Sequence, residues 1–167
     1  MGADLYINKI YQENLEKYEP LFNEAVKKRN AIAENSPAHD VAQKEVTKYY
    51  DLMYSKGYFR DSYNGSALFR YLILDNARLS WWKDIVPLQN DNGEIQGEKL
   101  MEFLTIILAS DFVLPTREQL RENHCQVDDI GPNSLEGWHQ YLIEKRERLI
   151  DFICLAIESK LSIDASL

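Results

Sequence analysis

Hydrophobic residues recur at three- and four-residue steps along most of this chain, which is the spacing of one face of an α-helix. The first such pattern covers residues 11–32 and contains Pro20, which either kinks one helix or begins a second one. Ser36 and Pro37 are typical of a helix start, as the N-cap and the first helical residue. Gly57 is expected to follow the end of that helix, since glycine readily adopts the left-handed conformation found there.

The second half of the chain contains two further helical patterns. Residues 98–110, "EKLMEFLTIILAS", are apolar nearly all round, which is expected of the most buried helix. The longest helix begins at Asn133 or Ser134 and extends to about Leu161. Its "EKRER" run, residues 144–148, is expected to project into solvent.

Together these elements predict a mainly all-α protein. We expect one helical domain over residues 1–167, built as an antiparallel bundle of five or six helices with the 98–110 helix at its centre. A chain of 167 residues is long enough to bury a core of that kind. A weak alternation in "ADLYI" adds a very short β element near the N-terminus, with residues 3–7 and 92–96 as its strands.

The charge balance argues against two classes of partner. The chain has 19 basic and 27 acidic residues and a net charge of −8. Because no basic stripe is present, neither nucleic acid nor an anionic membrane surface is expected as a partner. The two cysteines lack CxxC spacing, and no basic segment followed by an apolar one opens the chain, so we expect a reduced, cytoplasmic protein.

Residues 56–71, "KGYFRDSYNGSALFRY", place aromatic and charged side chains between two helical patterns, and we call this segment the elbow. If the elbow meets the later "LSWWKD" segment, the two form an aromatic-walled pocket with guanidinium groups, suited to a carboxylate or a phosphate. The same residue types also form hot spots in protein interfaces. The candidate ligand- or partner-binding residues are therefore Arg60, Asp61, Tyr63, Arg70, Trp81 and Trp82.

The elbow also has a purely structural interpretation, which we favour. In this interpretation its aromatic side chains close one end of the bundle, Arg60 pairs with an acidic helix, and Asp61 caps the next helix. A surface for a partner protein and a pocket for a small molecule remain as alternatives.

Histidine spacing argues against a metal centre. His39, His124 and His139 are never four residues apart, so no two of them share a helical face in the usual ligand arrangement. Glu136 and His139 form the Glu-x-x-His pair of ferritin-like di-iron bundles, but that chemistry requires a second pair, which the sequence lacks. We predict no metal, no cofactor and no catalytic residue, with Glu136 and His139 as weak metal candidates.

The segments "MGADLYI", "YFRDSYN" and "LSWW" resemble those of a family of uncharacterised bacterial proteins. The resemblance covers roughly the first half of the chain. It implies a bacterial, cytoplasmic protein and assigns no activity, ligand, partner or functional residue.

These observations predict a small, acidic, soluble helical protein that binds another protein without catalysis. Its acidic surface would attract a basic partner. The alternative is an enzyme or binding protein that holds a small anionic ligand with Arg60 and Arg70 beneath Trp81 and Trp82. A metal-binding helical bundle ranks third. The high tyrosine and tryptophan content also allows a homo-oligomer.

Overall fold

The computed structural model of the chain describes residues 4–61, 68–69, 81–109, 113–122 and 124–166. These residues divide into two compact units. One unit consists of residues 7–58. The other combines the described residues before Ile7 with those from Phe59 onward.

The unit of residues 7–58 is a pair of helices packed against each other. Helix α1 spans Asn8–Asn30 with Pro20 inside it, so the first hydrophobic pattern forms one helix and not two. Helix α2 spans Pro37–Tyr54. Its predicted start is confirmed, because the Ser36 hydroxyl accepts a hydrogen bond from a backbone N–H of the first turn at 3.2 Å.

Gly57 has a different role from the one expected of it. Helix α2 ends at Tyr54 with Ser55 as its C-cap, so Gly57 lies one residue beyond the expected C′ position. Glycine is required there because φ is +79° and a Cβ atom would lie 2.8 Å from the Tyr11 backbone nitrogen. The Gly57 carbonyl also accepts a hydrogen bond from the Ile7 N–H at 2.8 Å. Gly57 therefore joins the loop after α2 to the beginning of α1.

Within the described residues, four short strands form one sheet. The strands are β1 Asp4–Tyr6, β2 Tyr58–Arg60, β3 Glu94–Ile95 and β4 Ile163–Ser166. Their spatial order is β2-β1-β4-β3, and β4 pairs antiparallel with both β1 and β3. The two predicted β segments do form strands, but they pair with the C-terminal strand and not with each other. The inner position suits β4 because Ile163 and Ala165 alternate onto its buried side.

The described part of this second unit also contains three α-helices. Helix α3 spans Glu98–Ala109, α4 spans Arg117–Glu122 and α5 spans Leu135–Ser159. Helices α3 and α5 pack against each other. A π-helical turn, Trp81–Ile85, and a 3₁₀ turn, Val86–Leu88, precede β3.

The prediction that α3 is the most buried helix is wrong. Its Phe103 and Ile107 are fully buried, but Met101 and Leu108 are exposed, so α3 buries only one side. Helix α5 is about twice as long and contributes more of the core. Its buried apolar residues are Trp138, Leu142, Leu149, Phe152, Ile153 and Ala156.

The predicted fold class, mainly α-helical with a very short β element, is confirmed. The assignment of residues 1–167 to one domain stays a prediction. Among the described residues, no helix is both long enough and apolar enough to cross a membrane.

Candidate functional site

Asp61 of the elbow is completely buried and is surrounded by hydrogen-bond donors. Its Oδ1 lies 2.5 Å from Lys145 Nζ. Its carboxylate oxygens also accept backbone hydrogen bonds from Leu68 at 3.3 Å and from Phe69 at 2.9 Å. Asp61 therefore binds the backbone of residues 68–69, and its predicted role as the cap of a helix stays a prediction.

Burial raises the pKa of the Asp61 carboxyl above its ordinary value, because the ionised form loses its contact with water. The Lys145 ammonium and the two backbone N–H groups oppose this effect, since each stabilises the carboxylate. Asp61 is fully buried, and its part in binding a ligand or a partner stays a prediction.

Lys145 lies on the buried side of α5, contrary to the expectation that residues 144–148 project into solvent. Its ammonium donates a hydrogen bond to the Tyr141 hydroxyl at 2.9 Å, in addition to its pairing with Asp61. Spacing could have revealed this position, because Lys145 follows Leu142 by three residues and precedes Leu149 by four. The lysine therefore marks a core position hidden within a polar run.

Arg60 forms an ion pair with a neighbouring strand, and its predicted pairing with an acidic helix stays a prediction. Its Nε lies 3.8 Å from Asp4 Oδ1, on the neighbouring strand β1, and its side chain is partly exposed. Side chains alternate along β2, so Phe59 points to the opposite face. Phe59 is buried there against Phe69 and Phe152, with ring centroids 6.2 Å away in each case. The elbow thus contributes Phe59 to the core and Arg60 to the surface.

The remaining residues of the predicted pocket cannot be placed around Arg60. Tyr63 and Arg70 lie outside the described residues. Trp81 and Trp82 begin the π-helical turn, but only their backbone is described. The pocket for an anionic ligand therefore stays a prediction.

His139, one of the two weak metal candidates, contacts the backbone of a distant segment. His139 Nε2 lies 2.8 Å from the Pro115 carbonyl oxygen, and because a carbonyl only accepts, this nitrogen carries the proton. Glu136 is exposed in the first turn of α5. In the part of the chain that the structure describes, no three His, Cys, Asp or Glu residues are grouped as metal ligands would be.

Five carboxylates lie along one exposed side of α5, a feature that the sequence analysis missed. At 100° per residue they fall within an arc of about 80° and extend over about 33 Å of helix. None of the five is ion-paired within the described residues. Arg148, which is exposed on the same helix, lies about 40° outside this arc. We call these five residues the acidic face: Glu136, Glu144, Glu147, Asp151 and Glu158.

The loop of residues 126–134 leads into α5 and is held by several hydrogen bonds. Arg117 of α4 donates to Asp129 Oδ1 at 2.8 Å and to the Asp128 carbonyl oxygen at 3.3 Å. A backbone hydrogen bond of 2.9 Å closes the loop across its two ends. Ile130 in this loop is 85% exposed. The loop therefore holds an apolar side chain in water next to two aspartates.

A cleft of about 630 Å³ lies between this loop and the first half of α5. We call it the α5 cleft. Its walls include Gln126, Trp138, Gln140, Tyr141 and Glu144. Since Glu144 also belongs to the acidic face, the cleft and that face form one continuous surface.

No protein-family model, curated protein or solved structure matches this chain. The resemblance carried by "MGADLYI", "YFRDSYN" and "LSWW" stays a prediction. The acidic face, the loop of residues 126–134 and the α5 cleft form the candidate site on which a function can be based.

Proposed function

We propose that this chain is a non-catalytic binding protein that recognises a basic segment of another protein. The observation that carries this proposal is the acidic face, whose five exposed carboxylates lie in line along α5 with no ion pair among the described residues. A row of this kind leaves its negative charge available to an incoming partner.

The excess of acidic over basic residues lies outside residues 7–58. Residues 7–58 contain eight basic and eight acidic residues, whereas the rest of the chain contains 11 basic and 19 acidic residues. The net charge of −8 therefore belongs entirely to the part of the chain that carries the acidic face. Such a field raises the rate at which a basic protein encounters the surface.

The loop of residues 126–134 supplies an apolar contact beside this charge. Ile130 is exposed, and the hydrogen bonds from Arg117 hold its loop in place. A contact residue that is already ordered loses little conformational entropy on binding, so it contributes more to affinity. Charged residues at the rim and an apolar residue near them are the usual composition of a protein interface.

The proposal is tested with matched charge reversals. Wild-type protein, the variant Glu147→Lys/Asp151→Lys/Glu158→Lys and the control variant Glu13→Lys/Glu16→Lys/Glu19→Lys are each used to capture proteins from a lysate of the source organism. Both variants change the net charge equally, but the control changes exposed residues of α1. We expect a basic protein that binds the wild type and the control and loses roughly tenfold or more in affinity for the acidic-face variant.

The captured protein is then purified, and its affinity is measured by calorimetry at two salt concentrations. Binding through the acidic face weakens as salt rises, because exposed charges are screened. Equal binding to the acidic-face variant and the wild type would end the proposal.

A further inference from the structure

The α5 cleft combines an accessible aromatic ring with a carboxylate. Tyr141 is 36% exposed, while Trp138 behind it is buried. Their rings meet edge to face with centroids 5.7 Å apart. Glu144 follows Tyr141 by three residues, so its carboxylate lies one turn further along the same side of the cleft.

Three side chains of the cleft already use N–H donors within the protein. The Trp138 indole N–H donates to the Gln126 carbonyl oxygen at 2.9 Å. The Gln126 side-chain amide donates to Asp128 at 3.1 Å, and the Gln140 amide donates to Glu144 Oε1 at 2.7 Å. These contacts orient both amides, since only their NH₂ groups can donate to a carboxylate. The acceptors left to a ligand include the amide oxygens of Gln126 and Gln140 and the second oxygen of Glu144, and the Asn133 side chain adds a further amide.

Lys145 places its ammonium near the Tyr141 ring, 5.1 Å from the ring centroid. Its ammonium is directed into the protein, where it lies 2.5 Å from Asp61 and bonds the Tyr141 hydroxyl. The Lys145–Asp61 pair is neutral as a unit, so Glu144 sets the charge that a ligand meets. The remaining carboxylates of the acidic face add to it.

We propose that the α5 cleft binds the side chain of an arginine that the basic partner supplies. A guanidinium is planar, stays charged, carries five N–H donors and stacks on aromatic rings. It therefore matches a site made of one exposed ring, one carboxylate and several acceptor oxygens. A lysine ammonium would meet the same charge but could not lie flat on Tyr141. This inference rests on the proposed function and names the part of the partner that enters the cleft.

The test uses Nα-acetyl-arginine amide as the probe and the ¹⁵N-labelled indole N–H of Trp138 as the reporter. The Trp138 signal is assigned by its loss in Trp138→Phe. We expect a saturable shift with a Kd of about 1 mM, because one side chain forms few contacts. The matched probe is Nα-acetyl-citrulline amide, in which a neutral urea group replaces the guanidinium. We expect it to cause no saturable shift.

Two variants locate the site. Glu144→Gln keeps the shape of the side chain and is expected to weaken arginine binding roughly fivefold. Glu98→Gln removes an exposed carboxylate from the first turn of α3 and is expected to leave the binding unchanged. Equal shifts with the citrulline probe, or equal binding to Glu144→Gln and Glu98→Gln, would overturn the inference.

The two proposals fail separately. If the acidic-face variant loses its partner while the arginine probe leaves the Trp138 signal in place, the cleft inference is wrong and the proposed function stands. If the arginine probe binds as expected while the acidic-face variant keeps every partner, the proposed function is wrong and the cleft is a binding site of another kind.

Discussion

The ammonium of Lys145 lies 2.5 Å from the carboxylate of Asp61, and no more than 6% of either side chain is exposed. Asp61 also accepts hydrogen bonds from the backbone of Leu68 and Phe69, and Lys145 donates a further one to Tyr141. These additional bonds offset part of the free energy lost when both charges leave water. The pair thereby joins the residue that follows β2 to the middle of α5.

We predict that removing either charge of this pair alone destabilises the folded protein. Asp61→Asn leaves a buried ammonium and Lys145→Met leaves a buried carboxylate, so each change should lower the free energy of unfolding by about 3–5 kcal/mol. The double variant Asp61→Asn/Lys145→Met should lose much less than the sum of the two, because it leaves no isolated charge. Urea unfolding of the four proteins measures both effects.

The exposed ion pair of Glu24 and Lys28 is the control for these variants. Its atoms are 2.8 Å apart, but both side chains are more than half exposed. Glu24→Gln should leave the free energy of unfolding almost unchanged, because water screens the pair. If the double variant lost as much stability as Asp61→Asn and Lys145→Met together, the energetic coupling of the two charges would be refuted.

The raised pKa of Asp61 predicts a pH dependence of stability. Because the folded protein holds this proton more tightly, the contribution of Asp61 is fully present below its ordinary value of 3.8. It is lost as the pH rises through the folded-state pKa. The free energy of unfolding of the wild type, taken relative to Asp61→Asn/Lys145→Met, should therefore decrease with rising pH.

The slope of that difference is at most about 1.4 kcal/mol per pH unit. Urea unfolding of both proteins at a series of pH values measures it, because the double variant lacks the Asp61 carboxyl. A difference that increases with pH would show that the pKa of Asp61 is lowered in the folded protein.

Gly137 should not tolerate alanine, although it lies inside α5. Gly→Ala within a helix ordinarily stabilises by about 1 kcal/mol. Here the added Cβ would lie 2.3 Å from the Pro132 carbonyl oxygen, which belongs to the backbone of the loop of residues 126–134. We expect Gly137→Ala to lower the free energy of unfolding by about 1–3 kcal/mol and to displace the loop.

Chemical denaturation measures the loss of stability in Gly137→Ala, and the indole signal of Trp138 reports the displacement, because its N–H bonds Gln126 in the loop. Gln140→Ala, at an exposed position of the same helix, is the control and should change stability little. If Gly137→Ala were as stable as the wild type or more so, the close packing of the loop on α5 would be refuted.

Ile130→Ser should separate binding from stability. Because Ile130 is 85% exposed, its loss should change the free energy of unfolding by less than about 0.5 kcal/mol. If Ile130 contacts the partner, the affinity measured by calorimetry should fall roughly tenfold. Val41→Ser, at an exposed position of α2, should leave the affinity unchanged. Equal affinities for the two variants would remove Ile130 from the proposed interface.

The helices follow from the sequence because they depend on neighbouring residues. Ser36 and Ser134 each cap a helix by accepting a backbone hydrogen bond from three residues further along the chain. The apolar periodicity of α5 identifies Trp138 and Leu142 as core residues without reference to any other segment. The acidic face can also be recognised from the sequence, because its five residues follow one another at spacings of eight, three, four and seven positions.

Only the tertiary structure decides which distant segments meet. The insertion of β4 between β1 and β3 depends on strands from both ends of the chain. The residue pattern of one strand does not specify which other strand pairs with it. Lys145 belongs to the core because Asp61 is there to neutralise it. The α5 cleft exists because Gly137 lets the preceding loop approach the helix. Local hydrogen bonding and periodicity determine the elements, whereas burial and charge pairing between remote residues determine the site.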